Sequence, residues 1–187
     1  MQVEFFKTSD AQDFAQFSRY PGLDGLETMS ARWVKHSFRL HAHDFYAVSL
    51  NYRGGGTFHC RGELRETAPG TSNLIASGQL HTGQATCDLG WIYRNLYVET
   101  TLLSTLLRAL DCRASVPLGF RAPVTRDENL AERLTKVFAS LQTSSFLLQN
   151  ESLLLAVVAR LITHHLVPAH TLGDRGREHA AVKRVRE

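Results

Sequence analysis

Residues 36–81 constrain the fold of this chain more than any other part of the sequence. In this stretch short runs of alternating apolar and polar residues are separated by three turn signals: three glycines at 54–56, Arg61-Gly62 and Pro69-Gly70. Glycine readily adopts positive φ and proline fixes its own φ, so both residues favour tight turns between strands. The stretch therefore predicts a series of short β-strands joined by tight turns.

Two runs of the sequence show which side chains share a face of a strand, because side chains alternate between the two faces. The first run has Phe45, Ala47 and Ser49 on one face and Tyr46, Val48 and Leu50 on the other; the second has Trp91, Tyr93, Asn95 and Tyr97 on one face and Ile92, Arg94, Leu96 and Val98 on the other. The aromatic face of the second run has two interpretations. Its rings and amide either contact a small ligand or simply fill a small barrel.

Three histidines are the candidate binding residues. His41 and His43 lie one residue apart, which puts them on one face of a strand, and His81 follows the Pro-Gly turn. A neutral imidazole both donates and accepts a hydrogen bond, which suits a sugar, carboxylate or amino-acid ligand as well as a metal. The sequence therefore predicts a small polar ligand bound by His41, His43, His81, Tyr93 and Trp91.

The order and spacing of these motifs resemble the sensor domain of the AraC family of bacterial transcription regulators. The matching segments are His41-Ala42-His43-Asp44, the glycines at 54–56, Pro69-Gly70, His81 and residues 91–97. The resemblance is good over residues 25–98 and follows only the order of elements from there to residue 187. It implies an α+β fold: a cupin-like β-barrel (a double-stranded β-helix, or jelly roll) followed by an antiparallel helical hairpin that forms a dimer.

The pattern and the resemblance together divide the chain into four parts. Residues 1–24 form an aromatic-rich N-terminal arm, 25–99 the effector-binding barrel, 100–167 a helical dimerisation region, and 168–187 a linker and the start of a truncated DNA-binding domain. The arm has two interpretations. It covers the pocket, as such arms do in the AraC family, or it packs on the outside of the barrel, as terminal segments often do.

Helical periodicity begins after residue 99, with a leucine stripe that extends to Leu110. Residues 125–128 fit a capping box in which Thr125 caps the next helix. The last helix, at about residues 146–165, has apolar residues around more of its circumference than one contact face requires. A second subunit is the natural partner for the extra face, so we expect a homodimer through this helix, with some help from residues 130–141. Glutamate at both Leu154 and Val158 should then give a monomer if either residue lies on the outer face.

Charge and composition limit the partners of the chain. The net charge is +3, but residues 1–174 contain sixteen charges of each sign and the basic excess lies in residues 175–187. A neutral body lacks the electrostatic footprint of a nucleic-acid-binding protein, so we expect DNA binding only through a C-terminal domain missing from this chain. Three cysteines without CxxC spacing indicate reduced thiols. With neither a signal peptide nor a membrane span, the sequence predicts a cytoplasmic protein.

The resemblance leaves metal binding open. In metal-binding cupins a glutamate four or five positions after the second histidine completes the ligand set, and here Ala47 and Val48 occupy those positions. His41, His43 and His81 alone would still provide three ligands for zinc or another divalent metal, with water as the fourth. We therefore expect no firm cofactor and keep these three histidines as a possible metal site.

Three functions are compatible with the sequence. The leading hypothesis is a non-enzymatic sensor: a small molecule enters the barrel and controls an attached helix-turn-helix domain. The alternative is a stand-alone, metal-dependent cupin enzyme, such as a dioxygenase or isomerase. The missing glutamate and the apolar excess of the last helix count against that enzyme. A sugar-binding cupin without a regulatory role is the third.

Overall fold

Twelve strands, three α-helices and one short 3-10 helix make up the described part of this protein. The structure is a computed structural model, and it describes residues 12–114 and 117–172. In chain order the strands are β1 (Phe14–Arg19), β2 (Leu26–Trp33), β3 (Ser37–His41), β4 (Phe45–Gly54), β5 (Gly56–Cys60), β6 (Glu63–Thr67), β7 (Ser72–Ile75), β8 (His81–Ala85), β9 (Trp91–Glu99), β10 (Leu118–Phe120), β11 (Val124–Thr125) and β12 (Leu166–Pro168). The helices are α1 (Thr100–Ala109), α2 (Glu128–Thr143), α3 (Leu147–His164) and the 3-10 turn Ala169–Leu172.

The strands form two main sheets whose orders define the fold. The larger sheet has the order β1-β2-β9-β4-β7-β11 and the smaller one the order β3-β8-β5-β6, and all pairings are antiparallel. The chain thus alternates between the sheets, with β2, β4, β7 and β9 in one and β3, β5, β6 and β8 in the other. This interleaving is the jelly-roll topology of cupins. The predicted cupin-like α+β fold is confirmed, with the barrel built from two sheets.

The three glycines at 54–56 lie where the chain crosses from β4 in the larger sheet to β5 in the smaller one. Gly54 has a φ of +67°, which a residue with a Cβ adopts only with strain. Gly56 serves a second purpose, because a Cβ at this position would overlap the indole ring of Trp91. The run of glycines therefore provides both the turn and the space for a large ring inside the barrel.

The four inner strands of the larger sheet, β2, β9, β4 and β7, separate two cores, as the alternation in β4 and β9 predicts. The helix-facing core lies between this sheet and the helices and is mainly aliphatic; its strand residues include Tyr46, Val48, Leu50, Leu96 and Val98. The inter-sheet core lies between the two sheets and is richer in aromatic rings; it consists of Met29, Ala31, Ala47, Phe58, Cys60, Ile75, Trp91 and Tyr93.

The helices α2 and α3 form an antiparallel hairpin that packs on the larger sheet. Ser140 Oγ donates to Asn150 Oδ1 at the turn of the hairpin. At the open end, Asp127, just before α2, contacts Arg160 and His165 at the end of α3. These two contacts hold the helices antiparallel at both ends, which confirms the predicted hairpin.

The capping-box prediction is wrong in its register. Thr125 pairs with Ser72 in the edge strand β11, so its backbone is extended and does not start a helix. Asp127 is the N-cap instead, and its Oδ1 accepts a hydrogen bond of 3.0 Å from the Leu130 N–H. Both residues are good caps, but strand pairing occupies the first one.

The outer face of α3 differs from the expectation. Leu154 and Val158 are only 1% and 3% exposed, because both pack in the helix-facing core. Neither residue lies on the outer face, so substitution at these positions does not test the dimer. Leu148, which is 76% exposed, and the half-buried Leu155 lie seven residues apart, so they share a face of the helix that Leu154 and Val158 do not occupy.

The two ends of the described chain are tied to the fold more closely than the predicted boundaries imply. Strand β1 lies within the predicted arm and pairs along its whole length with β2, which extends the larger sheet. Pro168, placed in the linker by the sequence, belongs to β12, which pairs with β10. The basic residues of 175–187, where the sequence predicts the start of a DNA-binding domain, lie outside the described residues. In the part that is described, no helix is long and apolar enough to span a bilayer.

Candidate ligand-binding site

A cavity of about 200 Å³ lies between the two sheets. All five predicted ligand-binding residues line it: His41, His43, His81, Trp91 and Tyr93. The remaining lining residues are Phe17, Met29, Trp33, Phe38, Ala47, Ser49, Phe58, Asn73, Ile75, Thr82, Gly83, Asn95 and Tyr97. The structure thus brings together residues from β1, β2, β3, β4, β5, β7, β8 and β9 around one space.

Strand pairing brings the three histidines together. His41 ends β3 directly opposite His81, the first residue of β8, and their ring centroids are 4.3 Å apart. His43 lies in the connection to β4, not on a strand as predicted, with its ring centroid 4.9 Å from that of His81. It stacks on Phe45 at 4.2 Å with an interplanar angle of 8°. The three imidazoles therefore form one cluster at the cavity.

Each imidazole uses Nδ1 for a backbone hydrogen bond. The acceptors are the carbonyl oxygens of Arg39 for His41, Phe45 for His43 and Gln79 for His81, at 2.8, 2.9 and 2.9 Å. A carbonyl only accepts, so Nδ1 must carry the proton, and in the neutral ring Nε2 then has the lone pair. The backbone thus selects one tautomer three times, which leaves three Nε2 acceptors for a ligand.

Burial keeps two of these rings neutral. Removal from water lowers the pKa of His81 to about 3, and the neighbouring His41 and His43 lower it further against the opposing effect of the Gln79 carbonyl. Burial also lowers the pKa of His43. At neutral pH these histidines therefore act as hydrogen-bond acceptors through Nε2 rather than as cations.

The three imidazoles are of a type that can bind a metal, but they are not arranged around one point as a metal site requires. A free Nε2 with Nδ1 held by a carbonyl is how metal-binding histidines are usually oriented. However, across residues 12–114 and 117–172, no three His, Cys, Asp or Glu side chains are arranged to hold a metal ion. Ala47 lies in the cavity wall where the cupin glutamate is expected. Metal binding by His41, His43 and His81 stays a prediction.

The aromatic wall is held in place by hydrogen bonds at its outer edges. The Trp33 Nε1–H donates to Tyr93 Oη at 3.0 Å, and the Trp91 Nε1–H donates to Asn51 Oδ1 at 2.8 Å. The rings of Trp91 and Tyr93 pack with centroids 4.7 Å apart. Burial raises the pKa of Tyr97 to about 12, so this phenol stays neutral at physiological pH.

Asn95 is the polar residue of this wall whose hydrogen bonding is incomplete. It is only 8% exposed, and its Oδ1 has no hydrogen-bond partner in the part of the chain that the structure describes. An unsatisfied buried acceptor is costly and is uncommon outside functional sites. Since Asn95 lines the cavity, a ligand that donates a hydrogen bond would satisfy it.

Sequence reasoning missed the aromatic residues outside β9. Phe17 in β1 stacks on Tyr97 at 6.5 Å, which places part of the arm at the cavity. Coverage of the pocket by the arm stays a prediction, because β1 also extends the larger sheet. Trp33, Phe38 and Phe58 also line the cavity. Alternation along β2, with Met29, Ala31 and Trp33 on one face, is the signal that could have identified Trp33.

A match to a family model supports this architecture. The model of the AraC-like ligand binding domain matches residues 25–158. Among solved structures the chain is similar to oxalate decarboxylase from Bacillus subtilis, with 17% identity and a TM-score of 0.43 over 48% of this chain and 25% of that chain. It is also similar to a Cupin 2 conserved barrel domain protein from Salinispora arenicola CNS-205, with 15% identity and a TM-score of 0.44 over 56% of this chain and 94% of that one.

The chain spans about a quarter of the oxalate decarboxylase chain that it matches. A comparison with curated proteins finds no match. The family match nevertheless covers well over half of the chain, including every strand from β2 to β11 and most of α3. This protein therefore belongs to the family of AraC-like ligand binding domains.

Proposed function

We propose that this chain is the effector-sensing and dimerisation domain of an AraC-type bacterial transcription regulator. A small molecule binds in the cavity between the sheets and controls an attached helix-turn-helix domain. The observation that supports this most is the cavity itself, where three oriented imidazoles and an unsatisfied asparagine line a mainly apolar space rich in aromatic rings. Such a combination of apolar walls and few polar groups is typical of ligand sites.

The structure offers a route from the cavity to the helices. Strand β9 contributes Tyr93, Asn95 and Tyr97 to the cavity and Leu96 and Val98 to the helix-facing core. A ligand that shifts β9 therefore changes the surface on which the helices pack. Control of transcription requires that the ligand bind two such arrangements with different affinity.

The outer face of α3 is our candidate dimer interface. Leu148 and the half-buried Leu155 lie seven residues apart on this helix, and Leu148 is largely exposed. Exposed apolar area on the outer face of a helix is typical of a surface that a second subunit covers. In this proposal DNA is contacted only through the attached domain, because the body of the chain is neutral.

The alternative of a metal-dependent cupin enzyme has less support. Catalytic metal sites need open coordination positions on a well-held ligand set, and here the carboxylate of that set is replaced by Ala47 or Val48. The side chain of Val48 also points away from the cavity into the helix-facing core. We therefore propose binding without catalysis.

The test is a thermal-shift and calorimetry screen of the protein, purified without an affinity tag, against a broad metabolite panel, with and without a chelator. We expect an organic ligand to raise the melting temperature of the protein and of a His59→Ala control, since His59 is exposed outside the cavity. The His41→Ala, His81→Ala double variant should lose this response. Stoichiometric zinc or iron that the double variant loses would instead establish the enzyme-like site.

A further inference from the structure

We propose that the cavity selects an uncharged, single-ring aromatic molecule that carries hydroxyl or N–H donors on one edge, the class to which phenol and catechol belong. This rests on the proposed function of the cavity as the effector site, and it replaces the sugar, carboxylate and amino-acid candidates that the sequence left open. The size, the walls, the charge and the polar groups of the cavity lead to this class independently.

The size of the cavity suits a single substituted ring. Its volume is about 200 Å³. A dry protein cavity of about 150 Å³ accommodates benzene, so the present one has room for a six-membered ring and a few substituents.

The walls of the cavity favour an aromatic ligand over a sugar. The lining includes seven aromatic rings in addition to the histidines: Phe17, Trp33, Phe38, Phe58, Trp91, Tyr93 and Tyr97. Aromatic rings gain from offset-stacked and edge-to-face contacts beyond the burial of their area. A sugar needs polar partners around its whole ring, and this cavity offers polar groups mainly at the histidine cluster and near Asn95.

The charge of the cavity excludes an ionised ligand. None of the described residues that line it is Asp, Glu, Lys or Arg. A carboxylate or an ammonium group would lose its hydration without gaining a counter-ion, which is unfavourable in a buried space. An amino acid carries both charges at neutral pH, and its exclusion is correspondingly stronger.

The polar groups of the cavity call for donors on the ligand. The three Nε2 atoms carry lone pairs because each Nδ1–H is held by a carbonyl. Asn95 Oδ1 is a fourth acceptor that lacks a partner within the described residues. A hydroxyl or N–H edge satisfies such acceptors, whereas a carboxylate would bring its own lone pairs against them. The lowered pKa values of His43 and His81 are consistent with this role.

The experiment compares four small probes on the unaltered protein. Phenol has the ring and the donor, anisole has the ring without a donor, benzoate has the ring with a negative charge, and cyclohexanol has the donor without an aromatic ring. Both tryptophans of the chain, Trp33 and Trp91, line the cavity, so their fluorescence excited at 295 nm reports binding there. We expect phenol to bind about tenfold more tightly than each of the others, the ratio of one good hydrogen bond or one stacked ring.

Two variants assign the binding to the cavity. His81→Ala should weaken phenol binding about tenfold, while the His59→Ala control, which changes an exposed histidine on the outside of β5, should leave it unchanged. Because the probe series needs no variant, misfolding of His81→Ala would not remove the test. Equal affinity for phenol and anisole, or tighter binding of benzoate, would overturn the inference.

A further arm separates failure of this inference from failure of the proposed function. Glucose is added to the series as a sugar probe. If benzoate or glucose binds with a dependence on His81 and phenol does not, the ligand class is wrong and the effector site stands. If no organic probe binds and zinc alone binds through His41 and His81, both are wrong. A fluorescence response to phenol that survives in His81→Ala and matches that of His59→Ala would also overturn the assignment.

Discussion

The two faces of strand β9 show how one strand serves both stability and binding. On the helix side, Leu96 and Val98 join a close-packed aliphatic core whose cavity has a volume of only about 10 Å³. On the other side, Tyr93, Asn95 and Tyr97 border a cavity of about 200 Å³. Flexible aliphatic side chains from helices close the gaps on the first side. Rigid rings fixed by hydrogen bonds hold the second side open.

A carboxylate at the edge of the helix-facing region has its hydrogen-bond partners within the protein, whereas several polar groups at the cavity lack one within the described residues. Asp127, at the edge of the helix-facing region, accepts hydrogen bonds from the Leu130 N–H, from Arg160 and from His165, so its carboxylate is fully used. The cavity leaves three Nε2 atoms and Asn95 Oδ1 without protein partners in the described structure. Satisfied groups hold the fold together, and unsatisfied groups are available to a ligand.

The largest difference between the two faces should appear on removal of a ring. Phe138, in α2, is fully buried in the helix-facing core. The Arg94 Cζ lies 4.4 Å from the centroid of its ring. Phe138→Ala should lower the free energy of unfolding by about 3–5 kcal/mol. Phe17→Ala, at the cavity and 56% exposed, should cost less than about 1 kcal/mol. Urea denaturation of both variants measures this, and equal losses would remove the distinction.

The Asp127 contacts should give the next largest effect and an acid-dependent one. Burial alone would raise the pKa of Asp127, but hydrogen bonds from Arg160, His165 and the Leu130 N–H lower it well below its ordinary value. This stabilisation is present above a pH of about 4 and disappears as the carboxylate is protonated at lower pH. Asp127→Asn should cost about 1–3 kcal/mol at pH 7 and progressively less as the pH falls below about 4.

Denaturant melts of wild type and Asp127→Asn at pH 7, 5, 4 and 3 test this prediction. The two curves of unfolding free energy against pH should converge as the pH falls below about 4. Parallel curves would mean that the carboxylate contributes no stability through its charge. Glu132→Gln is a control, because that exposed carboxylate pairs only with Lys136 on the surface of α2.

The cavity histidines should produce a separate pH dependence at higher pH. The pKa of His81 is about 3 in the folded protein, compared with about 6.5 in an unfolded chain. Between these values the unfolded chain binds a proton that the folded protein does not, so stability falls as the pH falls below about 6.5. His81→Gln should flatten the profile between pH 6.5 and 4.5, a range in which Asp127 does not titrate. An unchanged slope in this variant would contradict the burial of a neutral His81.

The outer face of α3 should show the smallest effect on stability. Leu148→Glu should convert the proposed dimer to a monomer in sedimentation equilibrium, with little change in the unfolding of the single subunit, because Leu148 is 76% exposed. Leu64→Glu makes the same change at a leucine of β6 that is 56% exposed and is the control. A dimer that persists in Leu148→Glu would exclude this face as the interface.

Much of this comparison could be predicted from the sequence. Period-two alternation in β4 and β9 correctly separated the cavity face from the helix face, because a strand has only two faces. The histidine spacing and the turn signals identified the cluster at the cavity. These features are local, and the sequence carries them directly.

The errors came from contacts between distant parts of the chain. Thr125 was predicted to cap α2, but its pairing with Ser72 is invisible in the local pattern. Whether Leu154 or Val158 lies on the outer face stayed open because the sequence does not show which side of α3 meets the sheet. The contributions of Phe17 and Phe58 to the cavity depend on how the two sheets face each other, which no single stretch specifies.

Neighbouring residues of β4 provide the most direct measurement of the central claim, that one face is packed and the other is open. Ala47 lines the cavity and Val48 lies in the helix-facing core. Ala47→Leu should leave the free energy of unfolding unchanged or higher and abolish the tryptophan response to phenol, because the new side chain fills existing space. Val48→Phe should cost about 1–3 kcal/mol by overpacking and leave that response intact. Equal destabilisation by both enlargements, with ligand binding unaffected by Ala47→Leu, would contradict the account.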